Sequence, residues 1–204
     1  MSSETGSHHT AGGVLALARP ITNGALSLEA TLARRRSTRA FGADRLTSVE
    51  LGQLLWAAQG ITSGDLRRAA PSPSGLYPLE CYAVTADGVF HYLPNEHALC
   101  PTLSGDLRAD LRRAAHEQPF IEAAPAIVVI AGVVERVAVR YGDRATRYMA
   151  IEAGHAAQGL LLEATALGLV GLGCGSFDDD EVARVVGLGA GELPLYLIPI
   201  GHPA

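Results

Sequence analysis

Four arginines and two hydroxyl side chains fall within six residues, Arg34 to Arg39, in the stretch LEATLARRRSTRAF (Leu28 to Phe41). Guanidinium forks bind a phosphate or another delocalised anion through charge-assisted hydrogen bonds, and a hydroxyl adds one more donor. In an extended segment alternate residues face one way, which lines up Arg35, Ser37 and Arg39. A second account is available for part of the stretch. Arginines at the end of a helix complement its macrodipole, by a few tenths to about 1 kcal/mol each. That account serves Arg34 to Arg36 and gives no reason for Ser37 and Arg39. Both readings, helix end and anion site, stand on these residues alone.

Other short stretches could also do chemistry. PSPSGLYP (Pro71 to Pro78) offers the hydroxyls of Ser72 and Ser74, and Gly75 would let backbone approach a flat ligand. Its composition equally describes a rigid surface loop. GLGCGSF (Gly171 to Phe177) is spaced G-x-G-x-G, not as a dinucleotide fingerprint, and its glycines mark another close backbone approach. In FDDDE, Asp178 with Glu181 three residues on is expected to cap a helix; metal binding is not expected. His155 lies among alanines and is read as a packed histidine, because no serine sits in a nucleophile-elbow pattern to pair with it.

The elements that must position these residues follow from periodicity. A helix is expected over 27–36, with Leu28 and Leu32 on one face, and a second begins at a Thr47–Glu50 capping box. LECYAV and VFHYL, joined through Asp87-Gly88, read as a hairpin. A polar helix is expected over 106–117, a buried strand at AIVVIAGVV (Ala126 to Val134), and strands at Val170 to Cys174 and LYLIPIG. The longest element, 145–167, is apolar on nearly every side and reads as a buried helix, whose small residues would let a second helix approach closely. A hairpin and separate helices without regular βαβ alternation give an α+β class.

Length and composition bound the function. The chain has 204 residues, a hydrophobic fraction of 48%, a charged fraction of 18% and aromatics at 5%, so a core of Ala, Leu, Val and Ile is expected. Residues 1–13 read as a flexible lead and 14–204 as a single domain. The net charge of -5 argues against nucleic acid as a partner, since counterion release needs a basic surface. No apolar run is long enough to cross a bilayer, and no signal peptide is recognisable, so a cytoplasmic location is expected. Three widely spaced cysteines make neither a disulfide framework nor a zinc knuckle. The chain contains no lysine, so all 16 basic residues are arginine.

Together, LALARP, SLEATLARRRSTRAF, APSPSGLYPLECYAV, YGDRATRYMAIEAGHAAQGLLLEATALGL and LYLIPIGHP resemble the FMN-dependent nitroreductase family in content and order. The similarity runs from Leu17 almost to the end and is closer to the azoline dehydrogenase branch, which oxidises thiazolines and oxazolines in peptides. The resemblance implies a mostly antiparallel sheet flanked by helices. It also implies a homodimer with FMN between subunits and a small-molecule or peptide substrate.

By position, the resemblance places Arg35 and Ser37, with Arg36 beside them, on the FMN phosphate and Arg39 at the pyrimidine edge of the flavin. Ser72, Ser74 and Gly75 would lie along the ring, and Gly173, Cys174, Gly175 and Ser176 would face its N5. The azoline branch carries a Lys-Tyr pair where this chain has Arg140-Tyr141. Tyr141, assisted by Arg140, is therefore the expected base, because a guanidinium stays protonated. Many family members add a C-terminal arm with further basic phosphate ligands, and here those contacts are expected to be missing or to come from elsewhere. The expected activity is hydride transfer through flavin N5. It would serve either NAD(P)H-dependent reduction of nitroaromatics and quinones or azoline oxidation. The alternative is a non-catalytic flavin-binding or scaffolding subunit of a peptide-modifying complex.

Overall fold

The computed structural model describes residues 13–204, so all but the last residue of the expected lead lies outside the described residues. One sheet of seven strands organises the chain. Its first strand, β1 (Leu15–Ala16), pairs at the edge, and helix α1 (Leu28–Arg34) follows with Ser27 as N-cap, its Oγ accepting the Ala30 N–H. Helix α2 (Ser48–Gln59) starts at the expected capping box: Thr47 Oγ1 accepts the Glu50 N–H, and the Glu50 carboxylate accepts the Thr47 N–H at 2.7 Å.

The hairpin forms as the pattern predicts, with β2 (Leu79–Thr85) and β3 (Gly88–Leu93) antiparallel. Gly88 is required there: its φ is 146° and a Cβ would stand 2.2 Å from the Leu103 carbonyl oxygen. That carbonyl belongs to β4 (Ala98–Ser104), which the sequence reading missed because ALCPTLS mixes proline with polar residues and shows no clean alternation.

The expected polar helix forms as α3 (Arg108–Ala114), and a further short helix that was not expected, α4 (Pro119–Ala123), follows it. His116 and Glu117 both adopt positive φ between them, and Pro119 can begin a helix but not continue one. β5 (Ala126–Val133) is buried along nearly its whole length, as its unbroken apolar run requires. Helix α5 (Val134–Tyr141) was not anticipated; its alternating charges hid a short helix that Gly142 ends.

The long helix α6 (Ala145–Ala166) returns across the sheet to β6 (Val170–Gly171), helix α7 (Asp179–Val186) and β7 (Glu192–Gly201). The strand expected at 170–174 is only two residues long; beyond it, Cys174 alone bridges to Leu197. The order is β1-β4-β3-β2-β5-β7-β6, every pair antiparallel. Asp178 caps α7 through the Glu181 N–H at 2.9 Å.

The core lies on both faces of the sheet. On one face α2 and α6 cross so closely that a Cβ on Gly159 would stand 2.8 Å from the Ala57 carbonyl oxygen. On the other, α3, α4 and α7 pack against β2, β5 and β7. Two apolar surfaces differ from their expected placement. Leu28 and Leu32, the apolar face of α1, are 61% and 51% exposed, while Thr31 is the residue that α1 buries. Along α6, Ala150, Ile151, Gly154, His155 and Gln158 are exposed, so within one chain the helix is buried on all but one stripe. Periodicity reports which residues avoid water and does not say whether the same chain covers them. No helix among the described residues is long and apolar enough to cross a membrane.

Candidate functional site

The arginine-rich stretch leaves α1 as an extended segment because Arg35, the C-cap, spends its N–H on Thr31 and turns to φ -53°, ψ 124°. Ser37 then bridges to Gly171 in parallel, and the Thr38 N–H donates to the Gly171 carbonyl at 3.2 Å. This fastens the stretch to the edge of the sheet. Gly171 itself cannot be larger without displacement, since a Cβ would lie 2.8 Å from the Pro199 carbonyl oxygen. Arg36 serves the helix end: its Nη1 donates to the Ala33 and Arg35 carbonyls at 2.9 and 2.8 Å. The helix-end reading thus holds for Arg36. Ser37 and Arg39 are exposed, and the Arg39 guanidinium lies 5.6 Å from the Phe120 ring centroid.

Among the described residues, no carboxylate lies within 4.0 Å of Arg34, Arg35, Arg36 or Arg39. Elsewhere Arg45, Arg67, Arg108, Arg112, Arg113, Arg136 and Arg184 have acidic partners, whereas Arg19, Arg68, Arg140, Arg144 and Arg147 have none among the described residues, so it is the density of Arg34 to Arg39 that sets the stretch apart. Four such guanidinium groups within six residues are a group that could hold an anion.

The GLGCGSF segment lies next to it. Cys174 exchanges both backbone hydrogen bonds with Leu197, and its side chain is buried. Gly173 is small because Tyr196 is close; a Cβ would stand 2.4 Å from the phenol oxygen. Both residues are thereby committed to the fold, leaving Gly175 and Ser176 exposed. Gln118 ties the segment down, its Nε2 donating to the Ser176 carbonyl at 2.9 Å and to Cys174 Sγ at 3.2 Å. Neither Gln118 nor Phe120 was found from sequence, because the short break between α3 and α4 that presents them carries no motif.

A second cluster forms around Pro71 to Pro78. Ser74, Gly75 and Tyr77 have φ of 53°, 65° and 46°, so two non-glycine residues hold a left-handed conformation that costs of order 1–3 kcal/mol each. Side chains fasten this loop at two points. Ser74 Oγ and Tyr141 Oη share a hydrogen bond of 2.6 Å, and Ser72 Oγ donates to Glu152 Oε2 at 2.6 Å while accepting the Tyr77 N–H at 2.8 Å. Arg140 places its guanidinium 5.9 Å from the centroid of the Tyr141 ring.

Glu152 is fully buried on α6, and its Oε1 has no hydrogen-bond partner. Burial pushes its carboxyl pKa up to about 7, against the lowering effects of Ser72 and Arg68. The sequence reading passed over it, although a single acid in AIEAGHAA is a visible signal. Its consequence for stability has a definite sign. The native state holds a proton that the unfolded state, at 4.5, has already lost. The contribution of Glu152 to stability therefore falls as pH rises from about 4.5 through 7. The Glu152→Gln variant should lose this slope and exceed the parent by about 1–3 kcal/mol at pH 8, at 1.36 kcal/mol per pKa unit. Urea melts at pH 5.5 and 8 read both values, and parallel profiles for the two proteins would refute the assignment.

One chain does not bring the two clusters together. The loop enters β2 at Leu79, level with Gly132 of β5 and Leu193 of β7, whereas Ser37 is fastened at Gly171, level with Ile200. The seven residues of β7 between those levels span roughly 23 Å, and the three strand spacings from β2 to β6 add about 14 Å across. No group of three or more potential metal ligands occurs among the described residues.

Comparison with known proteins places this architecture. The model of the nitroreductase family matches residues 32–202. A nitroreductase-family protein of Methanocaldococcus jannaschii is 38% identical over 183 residues, covering 87% of this chain and 91% of its own. A nitroreductase-family structure from Ralstonia eutropha superposes with a TM-score of 0.86 at 30% identity, over 94% of this chain and 90% of that one. Two more distant structures share the fold. NADPH:FMN oxidoreductase from Vibrio harveyi, in complex with NAD+, gives a TM-score of 0.66 at 24% identity over 86% and 68% of the two chains. A chain of the Escherichia coli microcin synthetase McbBCD complex gives 0.72 at 22% identity over 92% and 77%. By its family match and by its likeness over most of its length to these relatives, the chain belongs to the nitroreductase family.

Proposed function

We propose that this protein is an FMN-dependent oxidoreductase. It would act as a homodimer, with each FMN held between the arginine stretch of one subunit and the Ser72–Gly75 loop of the other. The observation that carries the reading is the unneutralised cluster Arg35, Ser37 and Arg39, fastened to β6 at a distance from the loop in its own chain. A phosphate suits that cluster in charge and geometry, because extended backbone presents alternate side chains to one ligand. A second copy, packed on the exposed stripe of α6 and the apolar face of α1, supplies the missing half.

Bound FMN would supply hydride transfer at N5. The protein's own groups orient and polarise. Arg35 and Ser37 hold the phosphate. Arg39, resting on Phe120, brings a positive charge to the ring edge where negative charge develops on reduction. Ser72, Ser74 and Gly75 of the partner lie along the ring, and Gly175 and Ser176 offer exposed backbone opposite. NAD(P)H is the proposed donor and a nitroaromatic or quinone the proposed acceptor; the Vibrio relative, an NADPH:FMN oxidoreductase, supports that reading.

Azoline oxidation is the second reading, favoured by one observation. Tyr141 stands at the loop, hydrogen-bonded to Ser74 and beneath Arg140, where a proton acceptor would be needed. The likeness to a chain of the microcin synthetase complex, whose structure holds a bound truncated pro-peptide, is one of fold.

The test is the visible spectrum of the purified protein, with the released cofactor identified by mass, followed by anaerobic titration with NADH and NADPH. FMN bleached by a nicotinamide is the expected result. Flavin bleached only by a thiazoline peptide moves the assignment to the second reading, and flavin reduced by neither leaves a binding or scaffolding subunit. Protein that takes up no FMN overturns the proposal.

A further inference from the structure

Glu152 has a use that the proposed function leaves open. Among the described residues it is the only fully buried carboxylate, and it lines a cavity of about 250 Å³ with Ser72, Tyr148 and His155, between α6 and the loop. One of its oxygens is bonded to Ser72 and the other is unpaired. An unpaired half of a buried carboxylate is costly, and an unpaired carbonyl-type oxygen much less so. A proton placed on Oε2 converts the first into the second. Accordingly the carboxyl pKa is raised to about 7.

Hydrogen counting then fixes what that proton does. With Glu152 ionised, Ser72 gives its only hydrogen to Oε2, and its oxygen accepts the Tyr77 N–H. Ser72 then has nothing left to donate. With Glu152 protonated, the carboxyl O–H becomes the donor to Ser72 Oγ, which has two lone pairs and still accepts from Tyr77. The hydroxyl hydrogen of Ser72 is released to a new acceptor. We propose that Glu152 is a positioning residue whose proton decides whether Ser72 can donate a hydrogen bond from the loop.

The surrounding charges do not supply this in another way. Arg68 acts on Glu152 at longer range while donating to Gln59 Oε1 and the Leu79 carbonyl. From α2, Gln59, which accepts from Arg68, is neutral, and its Nε2 is unpaired. From β2, burial pushes the Cys81 thiol up to about 12, so it stays uncharged. On α5, Arg136 is paired with Glu80, and Arg140 lies over Tyr141. His155 and Tyr148, both on α6, are the remaining titratable groups of the cavity.

That the released hydrogen meets FMN rests on the proposed function; the exchange between Glu152 and Ser72 does not. The experiment therefore has two readouts on the full-length protein, from pH 5.5 to 8.5. The first needs no flavin: the amide resonance of Tyr77, whose N–H is held by Ser72 Oγ. It should titrate with a midpoint near 7 and become flat in Glu152→Gln, whose amide donates to Ser72 permanently. The second is FMN affinity by fluorescence quenching. It should fall about fivefold from pH 6 to 8, the worth of one net hydrogen bond. It should stay constant and tight in Glu152→Gln, and constant and weak in Ser72→Ala.

A Tyr77 resonance that does not move, or that moves equally in Glu152→Gln, overturns the proposal; the latter result means that a group other than Glu152 moves the resonance. A resonance that titrates beside an FMN affinity that does not removes Ser72 as a flavin donor, and overturns the donor half. If the resonance titrates and no FMN binds at any pH, the cofactor reading fails and the Glu152–Ser72 exchange stands.

Discussion

Arg35→Ala lowers FMN affinity by about 100-fold, and Arg36→Ala, its immediate neighbour, lowers it less than threefold. The contrast follows from where the two guanidinium groups are engaged. Arg36 commits its Nη1 to the Ala33 and Arg35 carbonyls at the end of α1, which holds its guanidinium against its own helix. Arg35 turns the chain out of the helix with its backbone, while no side-chain hydrogen bond or carboxylate partner occupies its guanidinium among the described residues. A fork that places two N–H groups on one phosphate makes two charge-assisted hydrogen bonds, each worth roughly 1.5–3 kcal/mol. One such bond already approaches two decades of affinity at the upper end, and every 1.4 kcal/mol is tenfold.

Affinity is best measured on stripped protein by quenching of flavin fluorescence, with riboflavin as the control ligand. Riboflavin lacks the phosphate, so it should bind the parent and Arg35→Ala equally. If both ligands lose affinity alike, Arg35 holds the fold of the stretch and not the phosphate. If Arg36→Ala loses as much as Arg35→Ala, the helix-end assignment of Arg36 is wrong.

The two arginines also show how far the sequence could be read. Alternation in an extended segment groups Arg35, Ser37 and Arg39, because that rule depends only on backbone geometry. It could not say that the segment is fastened to Gly171, since that contact joins residues more than 130 positions apart. The hairpin, the capping box of α2 and the buried β5 were legible for the same reason as the arginine grouping: their signals are local. α5 and β4 were not, because their residues are amphipathic in ways that only a neighbouring element resolves. Glu152 was visible as an odd acid in an apolar helix, but its meaning needed Ser72, 80 positions away. Gln118 and Phe120 had no local signal at all. The exposed apolar faces of α1 and α6 are the most instructive case, because their periodicity marks a tendency to be buried that their own chain does not meet. In the proposed dimer a second copy covers them.

That last point makes the second strong expectation. Gly154→Arg should convert a dimer into a monomer and abolish FMN retention without touching an arginine or a loop residue. Gly154 sits in the middle of the exposed stripe of α6, and a Cβ there meets nothing within 4 Å in its own chain. Within one subunit the substitution is therefore sterically free and replaces a weak helix former by a strong one. Between two subunits packed at helix contact distance, an arginine in place of glycine separates the surfaces and buries a charge without a partner. The two clusters, at diagonal corners of one chain, would then have no second copy to complete them. Light scattering and the 450 nm absorbance of the same fraction read both effects together. A monomer that still carries FMN would mean that one chain suffices, against the distance between Ser37 and the Ser72–Gly75 loop. An intact dimer with full flavin would place the interface on another face, and leave Leu28, Leu32 and Ile151 as apolar surface that the second copy does not cover.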